Sequence, residues 1–281
     1  MVYSVNSLMP ERLAKSLWLP NFKERPQAKL RLFCFPYAGG SMLIYRKWQD
    51  DLSPDIEVCA VQLTGRGSRL HEPPFKSMPQ LIAALAQGLT PYLDKPCAFF
   101  GHSMGAIISF ELARYLQKVN GFAITHLFVS GRRAPQLPNT DPDTFNLSDA
   151  KFVEELRRLN GTPKEVLFHA ELMRLMLPLL RADFELIETY RYVPGEPLPC
   201  PITTFGGLDD GVEAAANLHP WHEQTDGSFS LHMFPGDHFF LHTGRPQLTE
   251  AIAQKLSNMK LPLPGSLPVE EGIKQLEFRI N

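Results

Sequence analysis

The sequence predicts an α/β architecture, a mostly parallel central sheet flanked by helices, with a helical insertion late in the chain. Three observations predict it. Short apolar runs recur between Leu30 and Phe234, amphipathic helical stretches separate them, and one long helical segment bounded by prolines breaks the alternation. The 281 residues are enough for a sizeable core. Hydrophobic residues at 44% and charged residues at 21% exclude disorder as the main state.

Residues 1–28 are irregular and polar and read as a surface-wrapping arm. Leu30–Pro36 then opens the sheet, followed by Ile56–Gln62, Cys97–Gly101, His126–Ser130, Ile202–Phe205 and Ser230–Phe234. Runs this apolar suit strands buried on both faces, as in a parallel sheet under two layers of helices. Gln80–Leu93 and Ala106–Val119 carry apolar residues at three- and four-residue spacing, the pattern of covering helices. Residues 29–134 and 200–262 therefore read as the core, and 263–281 as a C-terminal extension. Between the two core segments, 135–199 begins with Pro135, Pro138 and Pro142 and ends with Pro194, Pro197 and Pro199. Its helical patterns, Asp149–Leu159 and Pro163–Tyr190, predict a lid over the carboxyl ends of the strands, where open α/β sheets bind ligands. Phe152, Leu156, Leu172, Met173, Leu175, Met176, Leu179 and Leu180 exceed what a surface helix needs, and are expected to line a passage for an apolar chain.

Charge narrows the partners. With 28 basic and 30 acidic residues the net charge is −2, which offers no field for nucleic acid or anionic lipid. No apolar run approaches the roughly 20 residues that span a bilayer, and Met1–Lys23 lacks the apolar stretch of a signal peptide. Cys34, Cys59, Cys97 and Cys200 are scattered, without zinc-ligand spacing, and read as small buried hydrophobes in a reducing compartment. A cytoplasmic protein without metal or cofactor is expected. It is expected to be a monomer, because no long heptad or exposed apolar stripe appears.

The chemistry starts at Gly101-His102-Ser103-Met104-Gly105, a GxSxG between an apolar strand and an amphipathic helix. The pattern alone would occur in roughly one random chain in ten of this length; its strand-to-helix context makes it a nucleophile elbow, the sharp turn of the α/β-hydrolase fold that exposes a serine. A helix N-cap is the bland alternative for Ser103. A serine needs a base, and in the order Ser…Asp/Glu…His the base follows the last strand. Pro235-Gly236-Asp237-His238 is that loop, which selects His238. His232 lies mid-strand, His242 inside the following helix, and His219 and His222 flank a tryptophan, so all four read as structural or solvated. His102 reads as shaping the elbow.

The residue that orients His238 is expected after the preceding strand, where Asp209 and Asp210 are adjacent. A GxxD followed two residues on by an apolar side chain favours Asp210, before Gly211-Val212. Asp237 reads as a turn residue. An oxyanion needs two backbone N–H donors. One is Met104, the residue after the serine. The other falls in the loop after the first strand, Phe35-Pro36-Tyr37-Ala38-Gly39-Gly40-Ser41, with Ala38 preferred and Tyr37 the alternative.

Four segments, Phe35–Ser41, Gln62–Arg69, Gly101–Gly105 and Phe234–Phe240, occur in an order and spacing that resemble the type II thioesterases accompanying nonribosomal peptide and polyketide synthases. Ser130–Pro135 and Arg158–Pro163 match further segments of that family, and the likeness runs from about Leu30 to Lys255. It implies a Ser103, Asp210, His238 triad. It also implies hydrolysis of acyl or aminoacyl thioesters from the phosphopantetheine arm of acyl and peptidyl carrier protein domains, which frees stalled or mis-primed carriers. Two positions depart from the family pattern: Gly211 and Thr64 stand where members usually carry proline. A general carboxylesterase, a product-releasing acyltransferase and a catalytically silent carrier-binding module are the rival readings.

Overall fold

The computed structural model describes residues 16–139, 142–161 and 169–259. Among them six strands form one wholly parallel sheet: β1 (Leu30–Phe35), β2 (Ile56–Ala60), β3 (Cys97–His102), β4 (His126–Ser130), β5 (Ile202–Gly207) and β6 (Phe229–Phe234). Their order across the sheet is β2-β1-β3-β4-β5-β6. The connections leave β1 in one direction and β3 in the other, so the crevice between the carboxyl ends of these two strands is the switch point where such sheets bind ligands.

Period-two alternation explains the apolar runs. Phe33, Phe35, Phe99 and Leu127 face one core, while Leu32, Cys34, Phe100 and Phe128 face the other. Every residue of β1 and β3 is buried, and each large side chain taken from water contributes about 1.5–3 kcal/mol. The first core is covered by α1 (Met78–Leu89) through Leu81 and Leu85, and by α2 (Met104–Asn120) through Ile107 and Phe110. The second is covered by Tyr45, Trp48 and the last described helix, Arg245–Ser257, through Leu248 and Ile252. The expected helix Gln80–Leu93 begins two residues earlier and ends in a 3-10 turn, Thr90–Tyr92.

Two helices follow β4: α3 (Asp149–Leu159) and α4 (Ala170–Glu188). The second was expected from Pro163; residues 162–168 lie outside the described residues, as do the arm before residue 16 and the tail after residue 259. Trp18 and Leu19, in the described part of the arm, are buried in the first core. The eight apolar residues expected to line a passage divide, with Leu156 and Leu180 lining the cleft that also holds Ser103 and His238. Phe152, Leu156, Met173 and Leu180 form a small core between α3 and α4, and Leu172 and Leu175 are exposed. Helical periodicity tells which side chains share a face, not what that face meets. All four cysteines are free and buried, and burial raises their thiol pKa values.

Candidate active site

Strand β3 ends at His102 and α2 begins at Met104, so Ser103 must reverse the chain alone. It does so at φ 53° and ψ −114°, a conformation that costs a side-chain-bearing residue on the order of 1–3 kcal/mol. Its neighbours enforce it. Ser103 N–H donates to Ser130 O at 2.8 Å, and Ala106 N–H donates to Ser103 O at 3.0 Å. A Cβ on Gly101 would stand 2.0 Å from Gly105 O, and one on Gly105 would stand 2.2 Å from Phe35 O. Both obstacles are backbone and cannot swing aside. Gly105→Ala is therefore expected to destabilise the fold by about 3 kcal/mol or more. Gly211→Ala, where a Cβ meets nothing within 4 Å, should leave the urea midpoint nearly unchanged, and unfolding the two variants side by side checks the contrast.

His238 follows β6 and is buried. Its Nδ1 lies 2.9 Å from Asp210 Oδ2. With a carboxylate as acceptor, Nδ1 carries the proton and Nε2 the lone pair. The other Asp210 oxygen, Oδ1, accepts from Val212 N–H at 2.7 Å and Glu213 N–H at 3.0 Å. Glu213 is in turn held by Arg133 at 3.0 Å. Burial opposes the Asp210 charge, but the His238 ring and the two N–H donors outweigh it, and the carboxyl pKa is lowered below its ordinary value. Asp209 is exposed, and its N–H donates to Gly236 O. The hydrogen bonds to Oδ1 also show how the turn closes with Gly211 in place of proline.

The remaining histidines sit elsewhere. His102 is wholly buried, with Nδ1 2.8 Å from Ser130 Oγ, and burial holds its pKa well below the usual imidazole range. Its ring packs against that of His238, with centroids 5.1 Å apart. His232 is in β6, and His219 and His222 are in the 3-10 turn His219–Gln224. His242 lies 2.9 Å from the Tyr37 hydroxyl; burial pushes that phenol's pKa up to about 12, so it is protonated at neutral pH.

Ser103, Met104, Ala38, Tyr37 and His238 line one cleft of about 480 Å³. Its walls include Leu147, Leu156, Leu159, Leu180, Phe184 and Ile187, so α3, α4 and their approach form one side. Arg132, Asp143, Glu155, Arg158 and Glu188 line it as well, so the lining is mixed; the volume suits a chain-bearing small substrate. The Met104 amide is the first of the 17-residue α2, where N–H groups lack intrahelical partners and the helix end is positive. A larger hollow, about 1010 Å³, lies on the flank beside Ile82, Glu111 and Tyr190, and its lining contains none of Ser103, Asp210 or His238.

Two contacts escaped the sequence reading. Asn160 Nδ2, at the end of α3, donates to Asp237 Oδ2 at 3.0 Å, and Gly161 packs on Phe239, which seats the end of α3 beside the His238 loop. Asp183, buried on α4, pairs with Arg66 at 2.6 Å. The legible trace of the second is a single carboxylate among Leu179, Leu180, Leu186 and Ile187, on the buried stripe of an amphipathic helix.

The family model of the thioesterase domain matches residues 30–256. Among curated relatives, the gramicidin S biosynthesis protein GrsT of Aneurinibacillus migulanus is 45% identical over 245 residues, covering 87% of this chain and 96% of its own. Thioesterase PikA5 of Streptomyces venezuelae is 36% identical, with 88% of each chain covered. Among solved structures, the type II thioesterase BorB from the borrelidin biosynthetic cluster superposes with a TM-score of 0.76 at 39% identity, covering 85% of this chain and 97% of that one. A match of this extent, on a sheet whose switch-point crevice holds a strained serine, places the chain in the thioesterase domain family, as a hydrolase of thioesters.

Proposed function

We propose that this thioesterase clears acyl and aminoacyl groups from the phosphopantetheine arms of carrier protein domains in nonribosomal peptide or polyketide synthesis. The carrying observation is the cleft, in which a strained serine and a carboxylate-anchored histidine share a space with apolar side chains along one side. The names of its relatives, a gramicidin S biosynthesis protein and a type II thioesterase of the borrelidin cluster, support the substrate class.

In this reading Ser103 Oγ attacks the thioester carbonyl while His238 Nε2 takes its proton. The carbonyl electron pair moves onto oxygen, where the amides of Met104 and Ala38 stabilise it. Collapse expels the pantetheine sulfur, which His238 protonates, and leaves an acyl-serine. Water, deprotonated by the same imidazole, then releases the acid and restores Ser103. Asp210 keeps Nδ1 protonated and stabilises the imidazolium. Residues 135–199 serve as the lid and 29–134 with 200–262 as the core; the expected extension 263–281 lies outside the described residues. The enzyme works in the cytoplasm as a monomer.

The test offers the same acyl group as a carrier-bound thioester and as a p-nitrophenyl ester. The carrier thioester is expected to have the higher kcat/KM by at least about tenfold, or 1.4 kcal/mol of transition-state preference. Equal or faster turnover of the oxygen ester would make the protein a general carboxylesterase.

A further inference from the structure

The loop after β1 is held from above by α4. Gly40 N–H donates to Tyr37 O at 2.9 Å, closing a β-turn over Tyr37–Gly40. Gly39, its third residue, has φ +75°, while Ala38 is not among the residues of positive φ; this is the signature of a type II turn. The peptide between the two central residues of such a turn is the one whose rotation converts type II into type I. Here its N–H, that of Gly39, donates to Asp183 Oδ2 at 2.7 Å. Asp183 is fixed in turn by Arg66, whose Nη1 and Nη2 donate to its two oxygens at 2.8 and 2.6 Å. The same guanidinium reaches the turn directly, with Nη1 donating to Gly40 O at 3.0 Å and Nε donating to Thr64 O at 3.1 Å. Both side chains are buried.

Packing follows the same seam. A Cβ on Gly39 would stand 2.5 Å from Leu180 Cδ2, and one on Gly65 would stand 3.1 Å from Leu179 Cδ1. One turn of α4 is therefore pressed onto the two glycine loops that follow β1 and β2. A buried ion pair is a poor way to gain stability alone, because desolvation offsets most of its attraction. Its geometry here serves the orientation of one peptide.

We infer that Asp183, braced by Arg66, is a positioning residue: by fixing the Ala38–Gly39 peptide it holds the turn, and with it the preceding Tyr37–Ala38 peptide, whose N–H is the Ala38 oxyanion donor. Its effect on the reaction is exerted through that loop, and the hole is complete only while α4 is seated. The inference rests on the reading of Ala38 as an oxyanion donor.

Two variants test it. Asp183→Ala cuts the tether but strands the Arg66 cation, so it also threatens the fold. The double variant Arg66→Met with Asp183→Leu replaces the buried pair by apolar groups of similar size, a change that is often neutral or stabilising, while still freeing Gly39 N–H. Melting temperature, kcat, KM and inhibition by an alkyl trifluoromethyl ketone are measured for both. Ser103 Oγ adds to that ketone's carbonyl carbon, the serine proton passes to His238 Nε2, and the carbonyl electron pair becomes a full oxyanion in the hole. The expected result for the folded double variant is kcat lower by about 10–100-fold, somewhat less than outright loss of a donor, with KM within a factor of about three. Ketone affinity falls by a similar factor, because transition-state binding alone is lost.

Wild-type kcat and ketone affinity in the folded double variant would overturn the positioning role, as would a loss of kcat with ketone affinity unchanged. Ser103→Ala, run alongside, separates two failures. Complete loss there with wild-type rates in the Asp183 variants overturns the positioning role alone. Turnover surviving in Ser103→Ala overturns the serine reading, and the positioning role with it.

Discussion

Ser103→Ala is expected to abolish thioester hydrolysis and leave the fold intact. Alanine keeps the Cβ, so the backbone strain at φ 53° is the same in both proteins. The main-chain bonds from Ser103 to Ser130 and Ala106 survive as well. In the proposed mechanism what is lost is the nucleophile, and in serine hydrolases that alone costs about 10⁶ in kcat. Thiol release from an acyl N-acetylcysteamine thioester, with the melting temperature measured in parallel, reads both expectations.

Asp210→Asn is the second large effect, with kcat expected to fall by about 10⁴. Its geometry makes it a selective change. The carboxamide oxygen can still accept from the N–H groups of Val212 and Glu213, which keeps the turn. The amide nitrogen can only donate, so it cannot accept the proton on His238 Nδ1. The ring then favours the tautomer with its proton on Nε2, which cannot take one from Ser103. A linked effect follows in acid. The folded protein holds the Asp210 pKa below its ordinary value, so the associated stability is present above the unfolded carboxyl pKa of about 3.9 and is lost as pH falls through the depressed folded value. Urea titrations of wild type and Asp210→Asn across that range should differ in slope, with the variant flatter.

The sheet was legible because parallel strands under helices must be apolar on both faces, which leaves runs such as Leu30–Phe35 and Cys97–His102 visible without an alignment. The elbow was legible because a backbone reversal against β1 admits only glycine at 101 and 105, and that need is written in the residue types. Asp210 was separable from Asp209 only by spacing, and in the structure the Asp210 carboxylate meets the His238 ring while Asp209 is exposed, its backbone N–H donating to Gly236 O. What stayed hidden depends on long-range assembly. Arg66 and Asp183 are 117 residues apart and meet only because α4 crosses both glycine loops. Nor could periodicity tell that Phe152 and Met173 would pack into a core of their own while Leu156 and Leu180 also edge the cleft.

The most direct measurement is the intact mass of an acyl-phosphopantetheinyl carrier protein incubated with wild type and with Ser103→Ala. Loss of the acyl mass with wild type, leaving the free pantetheine thiol, and a carrier that stays loaded with the variant is the predicted result. A carrier that stays loaded with both proteins, or that is stripped equally by both, would contradict the account.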